Sequence, residues 1–386
     1  MRVLFAFDKF KDSLSAREAC TLAASALRER HSDWILDVCP LSDGGEGFSE
    51  ILTAAAGGEV RTETVTGPRE SRVSASFGLV SLERIPAAAR ALLPPLAGRS
   101  GPAKVAVIDM ASASGLALLK TEDRDLWHTT TVGTGELIRR ASELGAAAIL
   151  LGVGGSATHD LGLGALGALG LEFQTARGER IFPPFPARWR DISRIGGNVH
   201  ASIPPIRIAC DVSNPLLGPR GAAATYGPQK GLRPADLSRL DHESARLALM
   251  LCSQCGRPDA LMETPGAGAA GGISFGFMTA AGAQLVPGFE LVSAWLDLET
   301  KLAAADLVIT GEGRFDDSSL DGKGPGAVAA RALALGKTVH VFAGSATAKN
   351  PPANLVLRSI TPTGVPLEQA LSQAAHNLAQ AVRETF

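Results

Sequence analysis

Three short polar segments each place acidic side chains directly after an apolar run of strand type. Asp8-Lys9-Phe10-Lys11-Asp12 follows residues 3–7, Ser42-Asp43-Gly44-Gly45-Glu46-Gly47 follows residues 34–39, and Glu312-Gly313-Arg314-Phe315-Asp316 follows residues 306–310. This mix of carboxylates and cations suits phosphoryl transfer. Mg2+ takes one or two carboxylates together with phosphate oxygens. Lys and Arg offset charge that develops on the transferring group, and a carboxylate can accept the proton of an attacking hydroxyl. On this reading Asp43 and Glu46 hold Mg2+, Asp8 is the base or a second metal contact, and Lys11 stabilises the phosphoryl group. Arg314, Glu312 and Asp316 complete the pocket. Taken singly, each segment also reads as a turn with acidic capping residues; three at equivalent strand ends shift the balance toward chemistry.

Glycine-rich loops supply a second set of candidates. Gly152-Val153-Gly154-Gly155-Ser156-Ala157-Thr158-His159-Asp160 follows the apolar run 149–151 and precedes a helical segment at 163–169. Its backbone N–H groups and hydroxyls form a natural anion site. Gly154, Gly155, Ser156, Thr158 and Asp160 are the candidates for holding a phosphate or a substrate carboxylate. The competing reading is a glycine-lined turn where a helix packs close to a sheet. A stiff Pro/Gly loop spans residues 211–231, and its Asp211, Arg220 and Lys230 are further substrate candidates; Arg220 suits a bidentate grip on a carboxylate. Gly266 and Gly268, in Pro265-Gly266-Ala267-Gly268-Ala269-Ala270-Gly271-Gly272, are candidate phosphate contacts. That run and the one from Gly162 to Gly167 both match G-x-G-x-x-G. Neither directly follows a strand, so a dinucleotide site is disfavoured. Gly336-Lys337-Thr338 matches only the tail of a Walker A loop, with Arg331 where its first glycine belongs.

The elements that must position these residues alternate between strand and helix. Ser15 and Glu18 form a capping-box signature, and Ala19, Leu22, Ala23, Ala26 and Leu27 then share one helical face. A strand at 34–39 and a helix at 48–56 follow. The C-terminal hundred residues repeat this alternation, with strand 306–310, loop 311–316, helix 325–335, strand 339–343, strand 355–360 and a final helix from about 366. This order predicts a parallel sheet with right-handed crossovers, with ligands beyond its carboxyl edge. The middle reads differently: turn and strand at 67–78, a Pro/Ala-rich loop at 84–102, strands at 104–110, 146–152 and 207–210, and a helix at 134–144. The expected fold is α/β with two lobes. Residues 1–66 and 288–386 form a discontinuous Rossmann-like parallel-sheet domain, and 67–287 an inserted second α/β domain; a single split near residue 200 is the alternative.

Composition narrows the function classes. The 386 residues suggest two domains, and a hydrophobic share of 45% provides a sizeable core. A net charge of −2 predicts no broad basic surface, hence no nucleic acid and no membrane among the main partners. Five irregularly spaced cysteines argue against a disulfide framework, and Cys252 and Cys255 lack the second ligand pair a structural zinc needs. No run approaches the ~20 apolar residues of a membrane helix, and the apolar start is too short for a signal peptide. A cytoplasmic location is therefore expected.

Across nearly its whole length the chain resembles the type I glycerate kinases, the bacterial glycerate 2-kinase family. The resemblance is carried by Asp8 to Leu14, Ser42 to Gly47, Thr129-Thr130-Thr131-Val132-Gly133-Thr134-Gly135, Gly154 to Thr158, Cys210 to Pro215, Gly227 to Gly231, Pro265 to Gly272, Ile309 to Arg314 and Ala343-Gly344-Ser345, in that order. It implies transfer of the ATP γ-phosphate to D-glycerate, giving 2-phosphoglycerate, and a two-lobed α/β fold with a discontinuous Rossmann- or flavodoxin-like domain. The chain departs from the family in having Phe7 where Pro is usual, Asp12 where Gly is frequent, and His159-Asp160-Leu161-Gly162 where Asn-Asp-Gly-Gly is common. The alternatives are a kinase for another small hydroxy acid, a phosphatase or dehydrogenase, and a non-catalytic two-lobed sugar-acid-binding protein. Homo-oligomerisation stays open.

Overall fold

Residues 2–7 read Arg-Val-Leu-Phe-Ala-Phe, a run with no polar face, as expected of a strand covered on both sides. They form the first of thirteen strands found among the described residues of the computed structural model, which are 1–94, 96, 103–317, 319, 324–349, 351, 352 and 354–386. In chain order the strands are β1 (Arg2–Phe7), β2 (Ile35–Val38), β3 (Glu59–Thr66), β4 (Arg72–Ser81), β5 (Lys104–Asp109) and β6 (Ala146–Gly152). They continue with β7 (Leu171–Gln174), β8 (Arg194–Gly197), β9 (Ile206–Ala209), β10 (Gln284–Val286), β11 (Leu307–Phe315), β12 (Thr338–Ala346) and β13 (Leu355–Ser359). The chain divides into two compact units, Met1–Asp43 with Val292–Phe386, and Gly44–Leu291.

The first unit is built on a wholly parallel sheet in the order β13-β12-β11-β1-β2. Ser15 caps the helix Ala16–Arg28, and Glu18 reaches back to the Ser15 N–H at 2.8 Å, closing the foreseen capping box. That helix buries Ala19, Cys20, Ala23 and Leu27 against Val3, Phe5 and Phe7, beside Leu378 and Val382 of the C-terminal helix.

Two expectations for this unit are corrected. Residues 311–316 do not leave the sheet as a loop: β11 continues to Phe315 and β12 to Ala346, with Glu312 opposite Ala343 and Arg314 opposite Ser345. The glycines that suggest a loop here let strands approach. A Cβ on Gly311 would sit 1.8 Å from the Phe342 carbonyl oxygen, and one on Gly344 would sit 2.5 Å from that of Gly313. The final helix is two, Leu367–Ser372 and Ala374–Thr385.

The second unit holds a mixed six-stranded sheet in the order β10-β9-β6-β5-β4-β3, with a separate β7-β8 pair. β4 runs antiparallel to both neighbours, while β5, β6, β9 and β10 are mutually parallel. Residues 44–66, grouped on sequence with the first lobe, belong here: β3 pairs with β4 along its whole length, and the helix Phe48–Ala55 packs on β4 and β5. β3 escaped notice because Glu-Val-Arg-Thr-Glu-Thr-Val-Thr is a polar, largely exposed edge strand. At the other end the unit extends to Leu291 rather than 287. Of the segment 84–102, Ala87–Arg90 is helical, and residues 95 and 97–102 lie outside the described residues. Among the described residues no helix is long and apolar enough to cross a membrane.

Candidate active site

The carboxyl edge of the first unit's sheet carries a cavity of 710 Å³. Asp8 enters it from the end of β1, Asp43 from the chain beyond β2, Glu312 and Arg314 from β11, and Ser345 from β12. Lys9 and Lys11 line it from the turn after β1, which is closed by Ser13 and Leu14 N–H groups donating to the Phe10 carbonyl. Gly313 lets this turn lie close over β11, since a Cβ there would come within 3.2 Å of the Lys11 nitrogen. A largely apolar wall, including Ile360, Val365, Leu367 and Leu371, closes the other side.

The electrostatics of the cavity are those of crowded acids. Burial, then the negative charge of Asp43, pushes the Asp8 carboxyl up to about 6, against the pull of Lys9. The Lys9 N–H donates to Asp8 Oδ1 at 2.7 Å. Burial, with Asp8, Asp316 and Asp43 adding to it, pushes Glu312 up to about 7. Arg314 reaches Asp316 at 3.1 Å and is 73% exposed, so this pair contributes little to stability and leaves the guanidinium at the rim. Carboxylates that raise one another's pKa in this way are oxygen donors of the type a hard cation takes. Among the described residues no group of three or more acidic, His or Cys side chains is placed to hold a metal alone.

The second unit gathers the glycine loops at the carboxyl edge of its own sheet. The 154–158 loop leaves β6, and the Gly154 N–H donates to the Gly44 carbonyl at 3.0 Å. A Cβ on Gly154 would lie 2.5 Å from the Gly45 Cα, so this meeting of two motifs requires glycine. Gly154 therefore spends its N–H on the protein; the Gly155 and Ser156 N–H groups have no backbone partner among the described residues. Ser156 Oγ and the Thr158 carbonyl both accept from Lys230 Nζ at 2.7 Å. Glu46 is exposed in the turn before the helix Phe48–Ala55, whose N-terminal Gly47 and Ser49 N–H groups donate to Asp109, a carboxylate the sequence reading missed.

Several sequence candidates turn out to hold backbone segments in place. Asp160 is fully buried and accepts from the Thr131 N–H and hydroxyl and from the Gly162 and Gly164 N–H groups, at 2.8–3.2 Å. Burial pushes its carboxyl up while those four donors pull it down. It caps the helix Leu163–Ala168 and ties it to the threonine run. Asp211 accepts from the Gly288 and Phe289 N–H groups, at the start of the helix Gly288–Trp295. Arg220 is exposed, and its carbonyl anchors Asn214. Gly266 and Gly268 are close-packing residues: a Cβ on Gly268 would lie 2.2 Å from the Pro215 carbonyl oxygen. Lys9 was within reach of sequence reasoning, as a cation adjacent to Asp8; the wall at 360–374 was not, because nothing polar marks it.

The sequence profile of the glycerate kinase family matches residues 3–386. The chain belongs to the glycerate kinase family. It is 40% identical over 349 residues to a glycerate 2-kinase of Escherichia coli K12, covering 90% of this chain and 86% of that one. It is 36% identical over 395 residues to a glycerate kinase of Bacillus subtilis 168, covering 100% and 96%. A crystal structure of a glycerate kinase 2 from Salmonella typhimurium LT2 superposes with a TM-score of 0.76 at 37% identity, covering 100% of this chain and 97% of that one.

Proposed function

We propose that this glycerate kinase family member transfers the γ-phosphoryl group of ATP to the 2-hydroxyl of D-glycerate, giving ADP and 2-phosphoglycerate. The observation that carries the reading is the convergence of Asp8, Asp43 and Glu312 with Lys9, Lys11 and Arg314 in one cavity at the carboxyl edge of a parallel sheet. The apolar wall suits the adenosine portion of a nucleotide, and the charged end suits its phosphates. Asp43 and Glu312 would hold Mg2+, which would neutralise phosphate charge, with Glu46 a further ligand candidate on the same 42–47 motif. Lys11 and Arg314 offset charge on the phosphoryl oxygens. Asp8 takes the hydroxyl proton as the new O–P bond forms and the β–γ bridge breaks; a pKa near 6 leaves it ionised at neutral pH yet basic enough to help. In the second unit, the Gly155 and Ser156 N–H groups and the Ser156 hydroxyl suit an anionic group such as a substrate carboxylate.

The test is 31P NMR of the purified chain with ATP, Mg2+ and D-glycerate, against authentic 2- and 3-phosphoglycerate. A 2-phosphoglycerate signal requiring all three components is expected. A 3-phosphoglycerate signal would keep the kinase and overturn the regiochemistry; no phosphoglycerate from a folded protein would sink the reading.

A further inference from the structure

Lys230 is an unusual residue to find where it is. It sits in the turn Pro228–Lys230 of the second unit and is 2% exposed. A buried ammonium ordinarily has a carboxylate partner. This one has none within ion-pair distance among the described residues, and its contacts are a hydroxyl and a carbonyl, Ser156 Oγ and the Thr158 oxygen. Asp160 attracts it from further off, but that carboxylate is already committed to four donors. The ionisable neighbours His159 and Tyr226 bring no negative charge. His159 is buried and pushed down to about 3, so it is neutral, with Nε2 on Ser244. Tyr226, on the adjoining helix Ala222–Tyr226, is pushed up to about 12 and donates to Asn214. On the far side, Gly231 packs against the backbone of Arg124 and Asp125, and Asp125 pairs with His128.

The chemistry of the Lys230–Ser156 contact depends on which partner carries the proton. An ammonium has three N–H donors and no lone pair. It can only donate to Ser156 Oγ, which leaves the hydroxyl hydrogen free to point out of the loop. A neutral amine has a lone pair, and the Ser156 hydroxyl can then donate inward to it. The outward donor is lost, together with the positive charge behind the loop.

We propose that Lys230 is a positioning residue that switches the 154–158 loop on for anions: charged, it turns the Ser156 hydroxyl outward toward the substrate anion, and the anion in turn supplies the counter-charge the buried ammonium lacks, so that binding takes up a proton. The proposal rests on the reading that this loop holds an anionic substrate group. Burial pulls Lys230 down to about 7, which places the switch in the working pH range. Above that pH, one proton is taken up per anion bound, and the apparent affinity falls roughly tenfold for each further pH unit.

The experiment is the pH dependence of kcat/KM for D-glycerate at saturating ATP and Mg2+, from pH 6 to 9, in the wild-type chain and in Lys230→Arg and Ser156→Ala. The wild type should show an alkaline fall beginning near pH 7. Arg stays charged throughout, so Lys230→Arg should flatten that fall. Ser156→Ala, which keeps the lysine, should raise KM and weaken the fall even if Lys230→Arg folds poorly. Isothermal titration of D-glycerate at pH 8, in buffers of different ionisation enthalpy, should show proton uptake in the wild type. Phosphorylation with the same alkaline fall in both variants would overturn the switch and leave the kinase reading standing. If no phosphorylation occurs, the kinase reading fails, and calorimetry decides alone: no binding, or binding without proton uptake, overturns the switch as well.

Discussion

Asp8 and Glu312 pay for their position. Their carboxyls bind protons more tightly in the folded chain than in the unfolded one, with pKa values near 6 and 7 against ordinary values near 4. The folded state therefore holds extra protons between those limits, and the stability they contribute at low pH is lost as pH rises through 6 and 7. Glu312→Gln should raise the melting temperature at pH 8, by about 2–4 °C for each 1 kcal/mol recovered, and change little at pH 4. Equal shifts at both pH values would show that the carboxylates do not repel as described. Asp8→Asn should leave stability at pH 8 intact or improved while lowering kcat by ~10²–10⁴; near-normal turnover would remove Asp8 as the base. Two other residues show what sequence could not convey. Asp12 and Leu161 stand where the family pattern often has glycine, and both adopt left-handed backbone, φ 62° and φ 55°. The departures were legible; the backbone demand behind them was not. Asp12→Gly should relieve strain at an exposed turn and gain up to about 1 kcal/mol. Leu161 is fully buried, so Leu161→Gly should lose about 2 kcal/mol or more despite the same relief. Urea-unfolding midpoints separate the two cases.

At the scale of elements, apolar runs were readable and polar or glycine-rich strands were not. β1, β6 and the capped helix Ala16–Arg28 follow directly from residue types, because burial and capping act locally. β3 and the far halves of β11 and β12 owe their existence to partners distant in sequence. The same limit applies to the site. Asp8, Lys11, Asp43, Glu312 and Arg314 were legible as strand-end polar residues and share a cavity. That Asp160 and Asp211 serve as helix caps depends on N–H groups that only the fold brings to them. If Gly311 is a close-approach strand residue, Gly311→Ala should destabilise the first unit by about 1–3 kcal/mol or more. Wild-type stability in that variant would mean that β11 and β12 part before this point.

For the whole molecule, the second unit has a contiguous core that runs from Val65 to Ala283 without help from the first. A fragment from Gly44 to Trp295, ending where its last helix ends, should unfold cooperatively on heating; a broad, featureless melt followed by circular dichroism would contradict this. The first unit cannot be excised in the same way, because its sheet is stitched from both chain ends: β1 pairs with β11, Val3 opposite Leu307. On a ribosome this pairing has a waiting time. At about 5–20 residues per second, β1 emerges roughly 15–60 s before β11, although β2 on its other side follows within seconds. Meanwhile a strand of Val, Leu, Phe, Ala and Phe is exposed on a nascent chain, whose second unit can already have folded behind it. A cell making this enzyme carries that strand with one edge unpaired for most of the time the protein takes to synthesise.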